Sequence, residues 1–273
     1  MTTSRSFLPI PLLFSILLFS HGIHAKDFEC LLEPRQVVEL RVPVEGLIEK
    51  IHVDRGDPVK KGQTLIELDT GLDRAKLELS KYKASVEGPL RAAQHRLEFS
   101  SSKSKRQEEL YQDKFTSAND YEEAKTGAHL AEAELTEARD NKRLAQLEVH
   151  ESEEILKLKT IQSPFNGLVT ERLHHPGEVA QPDDRLPILK LAEIDPLYVE
   201  AVLPVTAIGK VRINETVEVF MDALGKTPFN ARVKVVDQVV DAASSTFGVR
   251  LELPNPERKI PAGIRCQARF KFE

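Results

Sequence analysis

The 273-residue chain is 41% hydrophobic and 30% charged, lacks tryptophan and carries a formal net charge of −5. That length accommodates more than one domain, and an aromatic content of 6% argues against a single large globular core. The acidic balance argues against a general nucleic-acid binder, because phosphate contacts need a clustered basic face.

Residues 1–25 read as a signal peptide. Arg5 supplies a positive start, Phe7 to Phe19 form an apolar run of 13 residues, and Ala25 offers a small residue at the cleavage position. The run is shorter than the ~20 apolar residues of a spanning helix, and Pro9 and Pro11 argue further against one. The alternative is an uncleaved N-terminal anchor. Lys26, not a lipid-accepting cysteine, follows the expected cut, so export without a lipid is expected. Cys30 and Cys266 stand near opposite ends of the mature chain. In an oxidising compartment they either pair, which requires the first and last strands to be neighbours, or remain separate buried thiols.

Residues 26–40 are β-prone around a break at Pro34. Residues 41–70 then hold two strands, Leu47 to Val53 and Thr64 to Leu68, joined by a turn at Asp54–Pro58. Residues 158–193 repeat that plan. Pro43 stands three residues before Gly46 and Gly56 ten after it, and Pro164 and Gly177 flank Gly167 at the same distances. A strand at Leu186–Leu191 closes the second copy as Thr64–Leu68 closes the first, which indicates an internal repeat. One short hairpin cannot cover its own apolar face, whereas two related halves packed together can. Glycines at matching places suit turns with positive φ.

Between the copies, residues 71–157 carry a helical pattern. Leu79, Val86 and Ala93 recur every seven residues; Leu90, Leu97 and Tyr111 follow a second such row. Ala124, Ala131, Ala138 and Ala145 repeat at the same interval, interleaved with Ala128, Leu135 and Val149. Small residues on a heptad seam predict a close antiparallel helix pair. Each arm of ~40 residues would reach ~60 Å. Gly88-Pro89 predicts a kink in the first arm. The reversal falls at Gln112–Asn119, with Ser117 as N-cap and Asp120 in the first turn of the second arm.

From Ile194 onward strands return: Leu197–Leu203, Val217–Met221, Asn230–Val236, Gly248–Leu253 and Arg265–Phe272, with a short helix over Pro204–Lys210. This spacing predicts a small antiparallel barrel over 194–273, completed by residues 26–40 as its first strand. The expected fold is therefore multidomain α+β: a helical hairpin inserted in a split β-domain, followed by a barrel.

No catalytic constellation appears. The chain lacks a nucleophile elbow, a phosphate loop, a dinucleotide fingerprint and a His-Glu-x-x-His motif, and no enzyme activity or cofactor is expected. His174-His175 is read as a polar turn and not a metal pair, since neighbours on a strand face opposite ways. The folded-over repeat resembles biotinyl and lipoyl carriers. Their modified lysine sits on the hairpin between the halves, which the helical insert replaces here, so a carrier role is disfavoured.

The segments Val44-Glu-Gly-Leu-Ile48, Gly56-Asp-Pro-Val-Lys-Lys-Gly-Gln-Thr-Leu-Ile-Glu-Leu-Asp69, Ile161-Gln-Ser-Pro-Phe-Asn-Gly-Leu-Val169 and Pro254-Asn-Pro with Ile260-Pro-Ala-Gly263 resemble the periplasmic adaptor, or membrane fusion protein, family. The resemblance covers essentially the whole mature chain. It implies a lipoyl-like split domain and a periplasmic, non-enzymatic subunit in ring oligomers, hexameric by the family's habit. Its implied partners are an inner-membrane transporter of the resistance-nodulation-division class and a TolC-like outer-membrane channel. The alternative within the family is an adaptor for type I protein secretion. The family's hairpin tip carries Arg, Leu and Ser at the spacing of Arg106, Leu110 and Ser117, which the resemblance makes the channel-docking residues. Lys114-Phe115-Thr116 departs from the family's small, glycine-containing approach to that serine. Many relatives continue into a membrane-proximal domain after the barrel; the sequence ends at Glu273, which reads as a shortened adaptor held at the membrane by protein contacts.

Overall fold

The computed structural model describes residues 24–225 and 227–272, so the expected signal peptide lies outside the described residues except for its last two. In chain order the elements are β1 (His24–Leu40), β2 (Gly46–Ile51), β3 (Pro58–Val59), β4 (Thr64–Leu68), then helices α1 (Gly71–Ser85), α2 (Gly88–Gln112) and α3 (Ala118–Leu158). There follow β5 (Thr160–Gln162), β6 (Gly167–Arg172), β7 (Val179–Ala180), β8 (Leu189–Pro204), β9 (Thr216–Phe220), β10 (Phe229–Val236), β11 (Thr246–Leu253) and β12 (Arg265–Phe272). They form two compact units: residues up to Gln36 with Glu193 onward, and Val37–Ala192.

In the second unit the repeat becomes an exchange of strands. Each residue of the first copy has its counterpart 121 positions on, as Gly46 has Gly167 and Gly56 has Gly177. Strand β2 pairs with β7 of the other copy, Leu47 opposite Val179, and β6 pairs reciprocally with β3, Leu168 opposite Pro58. The backbone bonds match as well. Ile48 N–H donates to Glu178 O at 2.8 Å and Val169 N–H to Asp57 O at 3.0 Å. Each copy even carries a bulge at the equivalent place, between Ile48 and Lys50 and between Val169 and Glu171. Neither half has a complete sheet alone. Their shared core holds the equivalent pairs Ile48 with Val169, Val59 with Ala180 and Leu68 with Leu189, all buried.

The repeat glycines serve two ends. Gly56 and Gly177 both sit at φ 93°, where a side chain is strained. Gly46 and Gly167 do not have positive φ; they are small because the chain is crowded, and a Cβ on Gly167 would lie 2.6 Å from Ala192 O.

The first unit is a ring of six strands in the order β1, β12, β9, β10, β11, β8, closed by pairing of β1 with β8. Alternation builds its core: β11 buries Phe247, Val249, Leu251 and Leu253, and β8 buries Leu197, Val199, Ala201 and Leu203. Asn255, 3% exposed, closes one end. Its Nδ2 donates to Ile194 O (3.0 Å) and Ile260 O (2.9 Å), and its Oδ1 accepts from Ile260 N–H (3.1 Å). A buried amide is tolerable only when so satisfied. This is the physical role of the Pro254-Asn255-Pro256 turn.

Several expectations need correction. Strand β1 runs unbroken through Pro34, because its ladder with β12 ends before that residue and the missing N–H interrupts no rung of it. The two strands expected around Pro196 are one, β8, which pairs with β6 before Pro196 and with β11 after it. The helix expected over Pro204–Lys210 is only a 3₁₀ turn at Val205–Ala207.

The helical expectation is corrected at Gly88-Pro89, where the chain breaks instead of kinking. Val86 is extended at ψ 117°, α1 ends at Ser85, and Pro89 lies in the first turn of a separate helix α2. Proline disfavours helix in the residue before it and suits a helix start, so two helices cost less than one bent helix. The break also resets the heptad. Leu79 lies 56% exposed and Val86 is exposed, whereas Leu77, Ser80 and Ala84 take the inward face of α1 and Leu90, Ala93, Leu97 and Ser100 that of α2.

Candidate functional site

The hairpin is positioned from its base. Lys159, just past α3, donates from Nζ to Glu45 O at 2.9 Å and pairs with Asp73 of α1 at 3.6 Å. Leu68 N–H donates to Lys159 O at 2.9 Å. These contacts fix both ends of the helical insert to strand β4 and its neighbourhood. Along the shaft α3 buries Ala124, Ala131 and Leu135, and ion pairs Lys83–Glu148, Lys142–Glu87 and Arg96–Glu134 (3.3, 3.2 and 2.9 Å) cross between helices. At 1.5 Å per residue, α3 carries the reversal ~60 Å from that base.

At the far end, Tyr111 of α2 stacks on Tyr121 of α3 with ring centroids 5.4 Å apart. Beyond this pair α2 ends in a Schellman motif. Phe115 N–H donates to Leu110 O at 2.8 Å, Lys114 N–H to Tyr111 O at 3.0 Å, and Lys114 adopts φ 65°. Helix α3 then starts from Ser117, whose Oγ accepts from Asp120 N–H at 3.1 Å and donates to Asp120 Oδ2 at 2.6 Å. The Ser117 hydroxyl foremost holds the Asp120 carboxyl below the usual carboxylate range, with Thr116 adding a weaker bond of 3.4 Å.

Arg106 and Leu110 therefore lie one turn apart near the C-terminal end of α2, both exposed, and Ser117 caps the helix that follows. All three occupy the reversal end of the hairpin. The sequence singled out two neighbours, Lys114 and Phe115, only as a departure from the family's tip and not for their conformation or exposure. Lys114 takes a left-handed position that glycine adopts without strain, and Phe115 is 80% exposed. The available signal was the lack of glycine or asparagine after Gln112, where a helix must stop.

Two further sequence candidates resolve elsewhere. Cys30 and Cys266 lie directly opposite each other on β1 and β12, with Cα atoms 4.8 Å apart and their sulfurs bonded. Beside them Arg269 makes a two-pronged bond to Asp27, at 2.7 and 2.9 Å. His174 and His175 lie in a loop, not a strand, so the argument from opposite strand faces does not apply. Both Nδ1 atoms approach Glu178, at 2.8 and 3.4 Å. Among the described residues no group of three or more potential ligands is arranged to hold a metal ion. None of the described helices is long and apolar enough to cross a membrane.

Comparison with known proteins follows these boundaries. Residues 36–190 match the family described as "RND MFP, barrel-sandwich hybrid domain" and residues 196–273 the one described as "CusB-like, beta-barrel domain". The cobalt-zinc-cadmium resistance protein CzcB of Cupriavidus metallidurans is 25% identical over 220 residues, covering 80% of this chain and 39% of CzcB. The solvent efflux pump periplasmic linker SrpA of Pseudomonas putida is 23% identical over 249 residues, 86% of this chain and 58% of SrpA. The chain thus spans well under two thirds of either relative. The crystal structure of MacA from Actinobacillus actinomycetemcomitans shares the fold, with a TM-score of 0.79 at 24% identity over 92% of this chain and 79% of MacA. Hairpin, exchanged half-domains and six-strand barrel are the architecture of this group, and the match spans more than half the chain. The chain belongs to the RND membrane fusion protein family, a family of adaptors and not of enzymes.

Proposed function

We propose that this protein is the periplasmic adaptor of a tripartite efflux system, joining an inner-membrane transporter of the resistance-nodulation-division class to a TolC-like outer-membrane channel. The observation that carries this reading is the family match over both β-structured regions, together with a long helical hairpin whose capped tip is exposed. The apolar run and small-residue site of the first 25 residues support export, and SrpA, a relative, is itself named a periplasmic linker. The β-structured units dock on the transporter, copies of the chain assemble into a ring, and the tips hold the channel through Arg106, Leu110 and Ser117. Arg106 supplies a charged hydrogen-bond donor beside the apolar Leu110 one turn away.

Photo-crosslinking from the tip to the channel tests this. Arg106→Asp and Ser117→Asp are expected to abolish the adduct with the helical circular dichroism unchanged. The second substitution is informative because aspartate is itself a good N-cap, so it alters the surface without removing the cap. Unchanged crosslinking in both variants removes the docking role.

A further inference from the structure

The apex of the hairpin offers more than the three docking residues. Phe115 is 80% exposed, more than any other aromatic side chain among the described residues. In a Schellman motif the residue after the left-handed position commonly packs on the residue five before it. Here those two are Phe115 and Leu110, joined by the 2.8 Å backbone bond, yet Leu110 remains 42% exposed and Phe115 turns outward. The motif holds an apolar pair in fixed geometry without burying it. Helix α3, 41 residues long, separates the pair from the β-structured part of its own unit by ~60 Å, so nothing there covers it.

Lys114 adds a second oddity. Its φ of 65° is one that glycine accepts freely and a lysine adopts only at a cost. Strain kept at an exposed apex points to a use for the side chain. A cation there stands beside Phe115, as Arg106 stands beside Leu110 two turns down. Asp120, the nearest acidic residue of α3 in sequence, is exposed but engaged by the Ser117 and Thr116 hydroxyls.

We infer that Phe115, one turn beyond the exposed Leu110 and next to Lys114, is an apolar plug that enters a notch on the outer-membrane channel lined by apolar side chains and bordered by a carboxylate. This rests on the docking reading above, because the plug is continuous with Leu110 of that surface. An aromatic anchor centred in an interface commonly dominates its affinity.

The test measures binding of full-length adaptor to the purified TolC-like channel of the same organism. Phe115→Ala is expected to weaken binding roughly 30-fold or more. Lys114→Glu should weaken it as well, while Lys114→Gly keeps the turn and loses only the charge contribution. Helix content should stay constant, since Phe115 packs on little. Wild-type affinity in Phe115→Ala, with binding lost in Arg106→Asp, overturns the plug and leaves the docking reading standing. Wild-type affinity in both variants sinks the docking reading itself. If Phe115→Ala changes only self-association, measured by sedimentation, Phe115 contacts a second copy of the chain and the inference fails.

Discussion

Along β11 every second side chain from Phe247 to Leu253 is buried, whereas the 41 residues of α3 bury only Ala124, Ala131 and Leu135. The barrel brings together segments from both ends of the chain, and its order depends on packing between them. The hairpin depends on local terms: helix propensity, a satisfied cap at Ser117 and cross-helix ion pairs, each exposed pair contributing ~0–1 kcal/mol. A thin rod with small residues on its seam gains reach and stiffness at the expense of core. The difference implies that equal damage should have unequal effects in the two regions.

The largest expected effect is in the barrel. Phe270 is fully buried, and Phe270→Ala should cost ~3–5 kcal/mol from lost burial and the cavity left behind. Leu135, 5% exposed, is the one large side chain that α3 buries, and its seam is open to solvent at the sides. Leu135→Ala is expected to cost ~2 kcal/mol, at the low end for such a change. Hydrogen-exchange mass spectrometry in a denaturant series reads each region separately. Equal losses, or a hairpin that melts with the barrel, break the comparison.

A middle-sized effect is expected where β1 is fastened to β12. The Cys30–Cys266 bond joins residues 236 apart, and cross-links over long loops restrict the unfolded chain most. Replacing both cysteines by serine should lower barrel stability by ~2–4 kcal/mol and leave hairpin exchange unchanged. The Asp27–Arg269 pair spans the same two strands, with Asp27 held below the usual range by Arg269, so the strand register should survive the loss. Identical stability with and without a reductant removes the claim.

What the sequence revealed follows the same division. The repeated half-domains were legible because Gly46, Gly56, Gly167 and Gly177 hold fixed spacings, but the exchange of strands between them was not; the alternating strands of the barrel were legible from period two. Sequence spacing misplaced the first-arm seam because it carried one heptad through Val86, and two non-helical residues are enough to turn Leu79 to solvent. Pro34 reads as a strand break, since proline removes a donor; whether that donor has a waiting acceptor depends on a partner strand far away in sequence. The tip was legible as a cap at Ser117. The exposure of Phe115 and the left-handed Lys114 were not, because nothing in a composition shows that a motif which usually buries its apolar pair leaves it outside.

The smallest expected effect lies at that cap and tests whether local terms hold the hairpin. Asp120 is exposed, and its carboxyl is held below the usual range chiefly by the Ser117 hydroxyl. A group with a lowered folded-state pKa contributes stability above its unfolded value, ~3.9 for aspartate, and loses it as pH falls through the folded value. The contribution should therefore be full at neutral pH and vanish only in acid, below the range where ordinary aspartates protonate. Carboxyl-carbon NMR should show Asp120 titrating below a typical exposed aspartate. Ser117→Ala should return it toward the ordinary value and remove ~1 kcal/mol of cap stabilisation, felt in the first turn of α3 and not in the barrel. An ordinary Asp120 titration, unmoved by Ser117→Ala, would mean that the reversal is held by packing after all and that the hairpin resembles the barrel more closely than its burial suggests.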